Sequence, residues 1–135
     1  PSLIWNIEEG RRLDGADVAR AEEVRVRIFH RFRTFFDEYD VLVAPVSQVA
    51  PFPIEQEFPV SVDGQVQETY LDWMRSAYLI SLAGLPALSV PGGFTSTGLP
   101  VGIQIVGPHR ADLRVLQVGY GFEQATGFGR VRPQL

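Results

Sequence analysis

The sequence predicts an α/β fold in which helices cover a layered, mixed β-sheet that this chain does not complete by itself. Helix-like patterns alternate with short apolar runs, which is typical of α/β proteins. Only three main strands are predicted, over residues 41–44, 87–90 and 101–106. The first is a nearly continuous apolar run, the pattern of a strand that is covered on both faces. A sheet of only three strands cannot bury such a strand well by itself, so we expect these strands to be the edge of a larger sheet.

Length and composition predict one unit, which we assign to residues 1–135. Of the 135 residues, 45% are hydrophobic and 21% are charged, as in ordinary globular domains. The net charge of −4 argues against nucleic acid binding as the main role. The sequence has no cysteine, which excludes disulfides and thiol catalysis, and no lysine, which excludes a lysine base or a P-loop. The chain begins with proline rather than methionine, so we expect a piece of a longer protein.

The first third of the chain predicts one long helix. Residues 1–13 contain an apolar stretch that is followed by a turn-prone Glu-Glu-Gly at positions 8–10. Asp14 is typical of a helix N-cap, and Asp17 complements the positive end of the helix. Apolar residues then recur at spacings of three and four as far as Glu38; they are Val18, Ala21, Val24, Ile28, Phe32 and Phe35. We interpret the interleaved arginines and glutamates as a solvated face.

A proline-rich loop, a small hairpin and a second helix follow the first strand. Four prolines recur over residues 45–59 and predict an extended, ordered surface loop. Asp63 and Gly64 separate two short runs and are the strongest local signal for a tight hairpin. A helix is predicted over residues 68–83, with Gly84 as its left-handed C-cap. Its expected core positions are Leu71, Met74, Ala77 or Tyr78, and Leu82.

The last two strands predict an antiparallel hairpin, followed by a final helix. Because a helix separates the first strand from residues 87–90, a right-handed parallel crossover is expected between them. Asp112 is expected to cap a helix that ends near Thr126, and the tail is irregular from Gly127. Two apolar stripes predict that this helix is wedged between neighbours; they are Leu113, Leu116, Tyr120 and Val115, Val118, Phe122.

Spacing alone predicts no catalytic constellation in this chain. Ser89 lies near the carboxyl end of a strand, but no glycine brackets it as in a nucleophile elbow, so a buried strand hydroxyl is the better interpretation. The glycine spacing that begins at Gly102 lacks the lysine of a P-loop. The two histidines, His30 and His109, are too few to predict a metal site.

Three segments resemble sequence elements of the amidase signature family. Residues 39–45 (YDVLVAP) are similar to its strand motif yD-x-L-x-x-P. Residues 82–94 (LAGLPALSVPGGF) resemble its aG-x-PA-x-x-x-P-x-G element, and residues 98–107 (GLPVGIQIVG) match its GLPvGvQ-x-x-G element almost completely. Order and spacing also agree, so the resemblance extends over nearly the whole chain and corresponds to the last third of the family.

The resemblance implies an α/β/α layered sheet of the amidase type and the hydrolysis of a carboxylic amide by a Ser-Ser-Lys mechanism. In that family the catalytic serines and lysine lie upstream of this segment, so the chain carries no catalytic residue and is expected to be inactive alone. The implied partners are the rest of the parent amidase chain and a small-molecule amide, with no nucleic acid, no membrane and no cofactor. A homo-oligomer stays open, and we expect a bacterial, cytoplasmic enzyme.

The helix over residues 68–83 also carries the expected substrate contacts. By itself, its aromatic stripe is most simply interpreted as core. In the family, however, this helix faces the acyl side of the cleft, which implies Trp73, Met74 and Tyr78 as substrate-binding residues. Such a lining suits an aryl or alkyl acyl group. Two alternatives remain open. One is the A-type subunit of a glutamine-dependent amidotransferase, although Met74 stands where that subunit is expected to carry an aspartate, with Asp72 displaced in phase. The other is a non-catalytic binding or assembly module.

Overall fold

A computed structural model describes residues 2–132, in which groups of helices and groups of strands follow one another along the chain. The domain assignment at residue 1 and at residues 133–135 lies outside the described residues. The elements are α1 (Ser2–Arg12), α2 (Gly15–Glu38), β1 (Leu42–Pro45), β2 (Ser61–Val62), β3 (Gln65–Val66), α3 (Tyr70–Trp73), α4 (Arg75–Ala83), β4 (Ala87–Phe94), β5 (Pro100–Val106) and α5 (Asp112–Thr126), with a final 3₁₀ turn at Phe128–Arg130.

The main sheet has the strand order β1-β5-β4, and both pairs in it are antiparallel. The predicted hairpin of β4 and β5 is therefore confirmed. The strands β1 and β4 run in the same direction, as a parallel crossover requires, but β5 lies between them and they do not pair. Val43 on β1 is 54% exposed, so one face of this apolar strand lacks cover within the described residues. That exposure agrees with the expectation of a larger sheet.

The core lies between α5 and the strands β4 and β5. Val90, Ile105 and Val115 are buried there. Partly buried side chains surround them: Val41, Leu88, Ile103, Val118 and Phe122. The helix approaches the sheet closely because Gly119 faces Leu88, and a Cβ at Gly119 would lie 2.2 Å from the Leu88 Cδ2 atom. A glycine inside this helix therefore has a packing function.

Only one of the two apolar stripes of α5 packs against the described core. Leu113, Leu116 and Tyr120 on the opposite stripe are exposed, so the expected wedge is not formed within residues 2–132. The prediction that Asp112 caps this helix is wrong, since Ala111 is the N-cap and Asp112 is the first helical residue. The predicted end at Thr126 is correct.

The boundary between α1 and α2 confirms one local prediction and corrects another. The Asp14 carboxylate accepts a hydrogen bond from the Asp17 backbone N–H (2.8 Å), and the Asp17 carboxylate accepts one from the Asp14 N–H (3.0 Å). This capping box begins α2 at the predicted residue. The turn expected at residues 8–10 is wrong, because α1 continues through it as far as Arg12. An exposed ion pair between Arg12 and Glu9 (2.6 Å) spans one turn of that helix.

The middle of the chain forms the predicted hairpin but breaks the predicted helix. Asp63 (φ 48°) and Gly64 (φ 75°) form the two-residue turn between β2 and β3. The helix predicted over residues 68–83 is interrupted at Met74, which separates α3 from α4. The left-handed cap at Gly84 (φ 65°) is confirmed.

The core positions expected on that helix are largely wrong. Leu71, Tyr78 and Leu82 are exposed within the described residues, whereas Ile80 and Ala83 are buried. The helix is broken at Met74, and α4 packs against α2. No helix within residues 2–132 combines the length and the apolar character that crossing a membrane requires.

Candidate functional site

An apolar cavity of about 570 Å³ lies at the carboxyl end of β1. Its lining consists of Pro45 at the end of that strand, residues 46–52 of the following loop, Trp73 at the end of α3, Ser89 on β4 and residues 100–103 of β5. Ligands of α/β proteins commonly bind beyond the carboxyl ends of strands, and cavities of this size suit small organic molecules. It is therefore the candidate site.

Trp73 forms the aromatic wall of this cavity. Its ring meets Phe52 edge-on with centroids 5.6 Å apart, and it meets Tyr70 edge-on at 5.9 Å. Such T-shaped pairs are the favoured aromatic geometry. The Trp73 Nε1 atom is buried and has no hydrogen-bond partner among the described residues. The wall therefore presents aromatic carbon surface together with one N–H donor that these residues leave unsatisfied.

The three residues expected to bind substrate are not all brought together. Trp73 lines the cavity, whereas Met74 and Tyr78 do not. Met74 is half-buried at the helix break, and Tyr78 is exposed on α4. Sequence reasoning missed Phe52 and Gln48, which line the cavity from the proline-rich loop. An aromatic residue between prolines, shortly after a buried strand, was the available signal for Phe52.

Four side-chain hydrogen bonds hold the loop after β1 against the helix break. The Gln104 Nε2 group donates to the Pro45 carbonyl (2.9 Å) and to the Ser76 carbonyl (3.2 Å). The Ser76 hydroxyl donates to the Val46 carbonyl at 3.1 Å. The Gln48 Nε2 group donates to the Trp73 carbonyl. These bonds connect three elements that are distant in sequence around one side of the cavity.

The carboxylate closest in sequence to Trp73 caps a helix. Asp72 accepts hydrogen bonds from the backbone N–H of Thr69 (2.8 Å), from the Thr69 hydroxyl (3.0 Å) and from the Glu68 N–H (3.1 Å). The bonds from Thr69, the backbone one foremost, lower the pKa of Asp72 below its ordinary value. Asp72 thus stabilises the start of α3 through its Oδ2 atom.

No catalytic constellation forms within the described residues. Ser89 is exposed and lines the cavity, so its interpretation as a buried hydroxyl is wrong. The rings of His30 and His109 both stack edge-on against Phe29, at 5.8 and 5.9 Å, and His109 lines a different cavity of about 240 Å³. Within residues 2–132, no three metal-binding side chains are grouped in a way that could hold a metal ion.

Comparisons with known proteins agree on one family. The family model described as Amidase matches residues 1–116. The chain is 39% identical over 132 residues to an acylamidase of Rhodococcus erythropolis, covering 97% of this chain and 28% of that protein. It is 35% identical over 115 residues to the A subunit of the glutamyl-tRNA(Gln) amidotransferase of Alkaliphilus metalliredigens, covering 85% of this chain and 22% of that protein.

A solved structure supports the same relationship at the level of the fold. A bacterial aryl acylamidase of the amidase signature enzymes superposes with a TM-score of 0.85 and 26% sequence identity, covering 99% of this chain and 29% of that one. The chain therefore has the amidase type of α/β fold, as its sequence motifs imply. It spans less than a third of the length of each of these relatives.

Proposed function

The chain belongs to the amidase family, and from that membership we propose that it is the C-terminal segment of an amidase that hydrolyses a carboxylic amide by a Ser-Ser-Lys mechanism. Since it spans less than a third of its relatives, this activity is proposed for the full-length protein. The catalytic serines and lysine lie upstream in this proposal, because this sequence has no lysine. The segment alone is then inactive, for without nucleophile and base no acyl-enzyme can form.

The apolar cavity beside Trp73 is the observation that carries a more specific proposal. We assign it to the acyl group of the substrate, which is then an aryl or alkyl group. Apolar burial contributes about 25 cal/mol per Å² of surface removed from water, whereas a charged acyl group would lose its hydration without gaining a partner. The similarity to an acylamidase supports an amide with an acyl group as the substrate class.

Met74 and Tyr78 remain secondary candidates for the same role. Met74 follows Trp73 directly, and Tyr78 lies one turn further along α4. Neither lines the cavity formed by the described residues, so each would contact the substrate only where the rest of the protein completes the cleft. We therefore expect their truncation to alter substrate preference less than truncation of Trp73.

The test compares two amides in the full-length protein. We expect Trp73→Ala to lower kcat/KM about tenfold for an aryl-acyl amide and to leave acetamide hydrolysis nearly unchanged, since pocket contacts of this size discriminate by about 10–200-fold. Trp5→Ala is the matched control, because Trp5 lines a different cavity, beside Leu71. A full-length protein that hydrolyses no amide would contradict the proposed function.

An A-type amidotransferase subunit is the second candidate, favoured by 35% identity to the A. metalliredigens protein. That subunit is expected to carry an aspartate where Met74 stands. The neighbouring Asp72 is displaced in phase and its Oδ2 atom caps α3, which weakens this candidate. Co-purification of a partner subunit together with glutamine-dependent ammonia release would favour this candidate. A full-length sequence without the upstream serines and lysine would favour a non-catalytic binding or assembly module.

A further inference from the structure

Gln104 is a polar side chain buried in the central strand of the main sheet. It is 7% exposed, and both neighbours of β5 surround it. Its Nε2 group carries two hydrogens and donates to two carbonyls, those of Pro45 and Ser76. One carbonyl ends β1, and the other lies in the first turn of α4. A single amide group thus joins three elements.

Two further side chains donate hydrogen bonds between the loop after β1 and the helix break. The Ser76 hydroxyl bonds to the Val46 carbonyl, and the Gln48 side chain bonds to the Trp73 carbonyl. The Trp73 carbonyl needs such a donor, because the Ala77 N–H that would reach it in a continuous helix bonds to the Met74 carbonyl instead. We name Gln48, Ser76 and Gln104 the carbonyl clamp. Its bonds supply donors to the backbone at the point where the helix is broken.

The carbonyl clamp spans the two walls of the candidate acyl cavity. One wall is the loop that carries Phe52, and the other is the helix break that carries Trp73. The edge-on contact between these two rings therefore joins the same loop and helix break that the carbonyl clamp holds together. If the loop and the break separate, the ring of Trp73 loses its fixed position, and the shape of the cavity changes with it.

We propose that Gln104 and Ser76 are positioning residues for acyl-group selectivity, acting through the carbonyl clamp on the aromatic wall at Trp73. This inference rests on the proposed function, since it takes the cavity to hold the acyl group. Neither side chain lines the cavity, so the effect is indirect. It predicts that loss of the donors weakens discrimination between large and small acyl groups while the upstream chemistry continues.

The first experiment uses Gln104→Met in the full-length protein, because methionine is similar in size and donates no hydrogen bond. We expect KM for an aryl-acyl amide to rise about tenfold with kcat retained, and acetamide kinetics to stay within about twofold of the unaltered protein. Gln117→Met is the matched control, since Gln117 is exposed on α5. An equal loss of kcat/KM for both amides, or no change, would overturn the inference.

A second pair of variants keeps the test informative if the Gln104→Met protein does not fold. Ser76→Ala removes the bond to the Val46 carbonyl, whereas Ser76→Thr retains a hydroxyl. We expect the alanine variant to shift selectivity in the same direction as Gln104→Met and the threonine variant to restore it. Identical selectivity in both variants would count against the clamp.

A readout independent of activity separates this inference from the proposed function. The contribution of Trp73 to acrylamide quenching of fluorescence is obtained by subtracting the signal of the same protein that also carries Trp73→Phe. We expect Gln104→Met and Ser76→Ala to increase this quenching and Gln117→Met to leave it unchanged. Unchanged quenching in all three would overturn the clamp even in an active amidase. Absent amidase activity with increased quenching would instead refute only the proposed function.

Discussion

Replacing Gly119 by alanine tests the packing of α5 on β4. The new Cβ atom would lie 2.2 Å from Leu88 Cδ2 and 3.7 Å from Val90 Cγ1. Carbon atoms in contact prefer about 3.5–4.0 Å, so the partly buried Leu88 side chain must leave its place against the core. Such overpacking costs about 1–3 kcal/mol. Alanine is also favoured over glycine inside a helix by roughly 1 kcal/mol, which offsets part of this loss.

Gly121→Ala isolates the packing contribution, because Gly121 lies two residues away in the same helix and has nothing within 4 Å of an added Cβ. It keeps the gain in helix propensity and adds no clash. We therefore expect Gly119→Ala to be about 1–3 kcal/mol less stable than Gly121→Ala. Urea unfolding of the full-length protein, followed by circular dichroism, measures the difference. Equal midpoints and slopes for the two variants would refute the packing argument.

Two further predictions concern local structure. Gly84→Ala places a side chain at φ 65° and should destabilise the protein by roughly 1–2 kcal/mol, whereas Gly10→Ala in α1 should not; thermal unfolding compares them. The pKa values of Asp17 and Asp72 are lowered by backbone hydrogen bonds from Asp14 and Thr69 first. Their stabilisation is present above the ordinary carboxyl pKa of 3.8 and is lost as pH falls through the lower folded-state values. Unfolding midpoints measured against pH should therefore drop less in Asp72→Asn than in the unaltered protein.

Features with causes a few residues away could be predicted from the sequence. The cap at Asp14 depends on Asp17, three positions further on. The turn at Gly64 and the C-cap at Gly84 depend on conformations that glycine adopts without strain. The strands also follow from local apolar runs. The motif that ends at Gly107 indicates the family because it follows two other motifs of that family in the expected order and spacing.

Features with distant causes could not be predicted in this way. The break at Met74 is stabilised by Gln48, which lies 25 residues before Trp73. Helix propensity favours continuing through that point, so only the tertiary hydrogen bond reveals the break. The expected turn at residues 8–10 failed for the opposite reason, since a glycine inside a helix costs only about 1 kcal/mol and α1 tolerates it. Phe52 joins the cavity only after the loop has folded back.

The strand order has a consequence for the sequence of events in folding. β4 and β5 are joined by a tight turn in which the Thr95 N–H bonds to the Leu99 carbonyl at 2.8 Å, so few residues must be ordered before they pair. β1 is separated from β5 by the proline-rich loop, the β2–β3 hairpin, two helices and β4. Their pairing therefore requires a long stretch of chain to be closed. Since loop closure is unfavourable until its contacts form, we expect the amides of Ile103 and Ile105, which face β4, to be protected from hydrogen exchange before that of Ala44, which faces β5, during refolding. Simultaneous protection in a pulse-labelling experiment would contradict this order. If β4 and β5 pair first, Gln104 is in place before the Pro45 and Ser76 carbonyls that accept its hydrogen bonds. The cavity would then take its final shape late in folding.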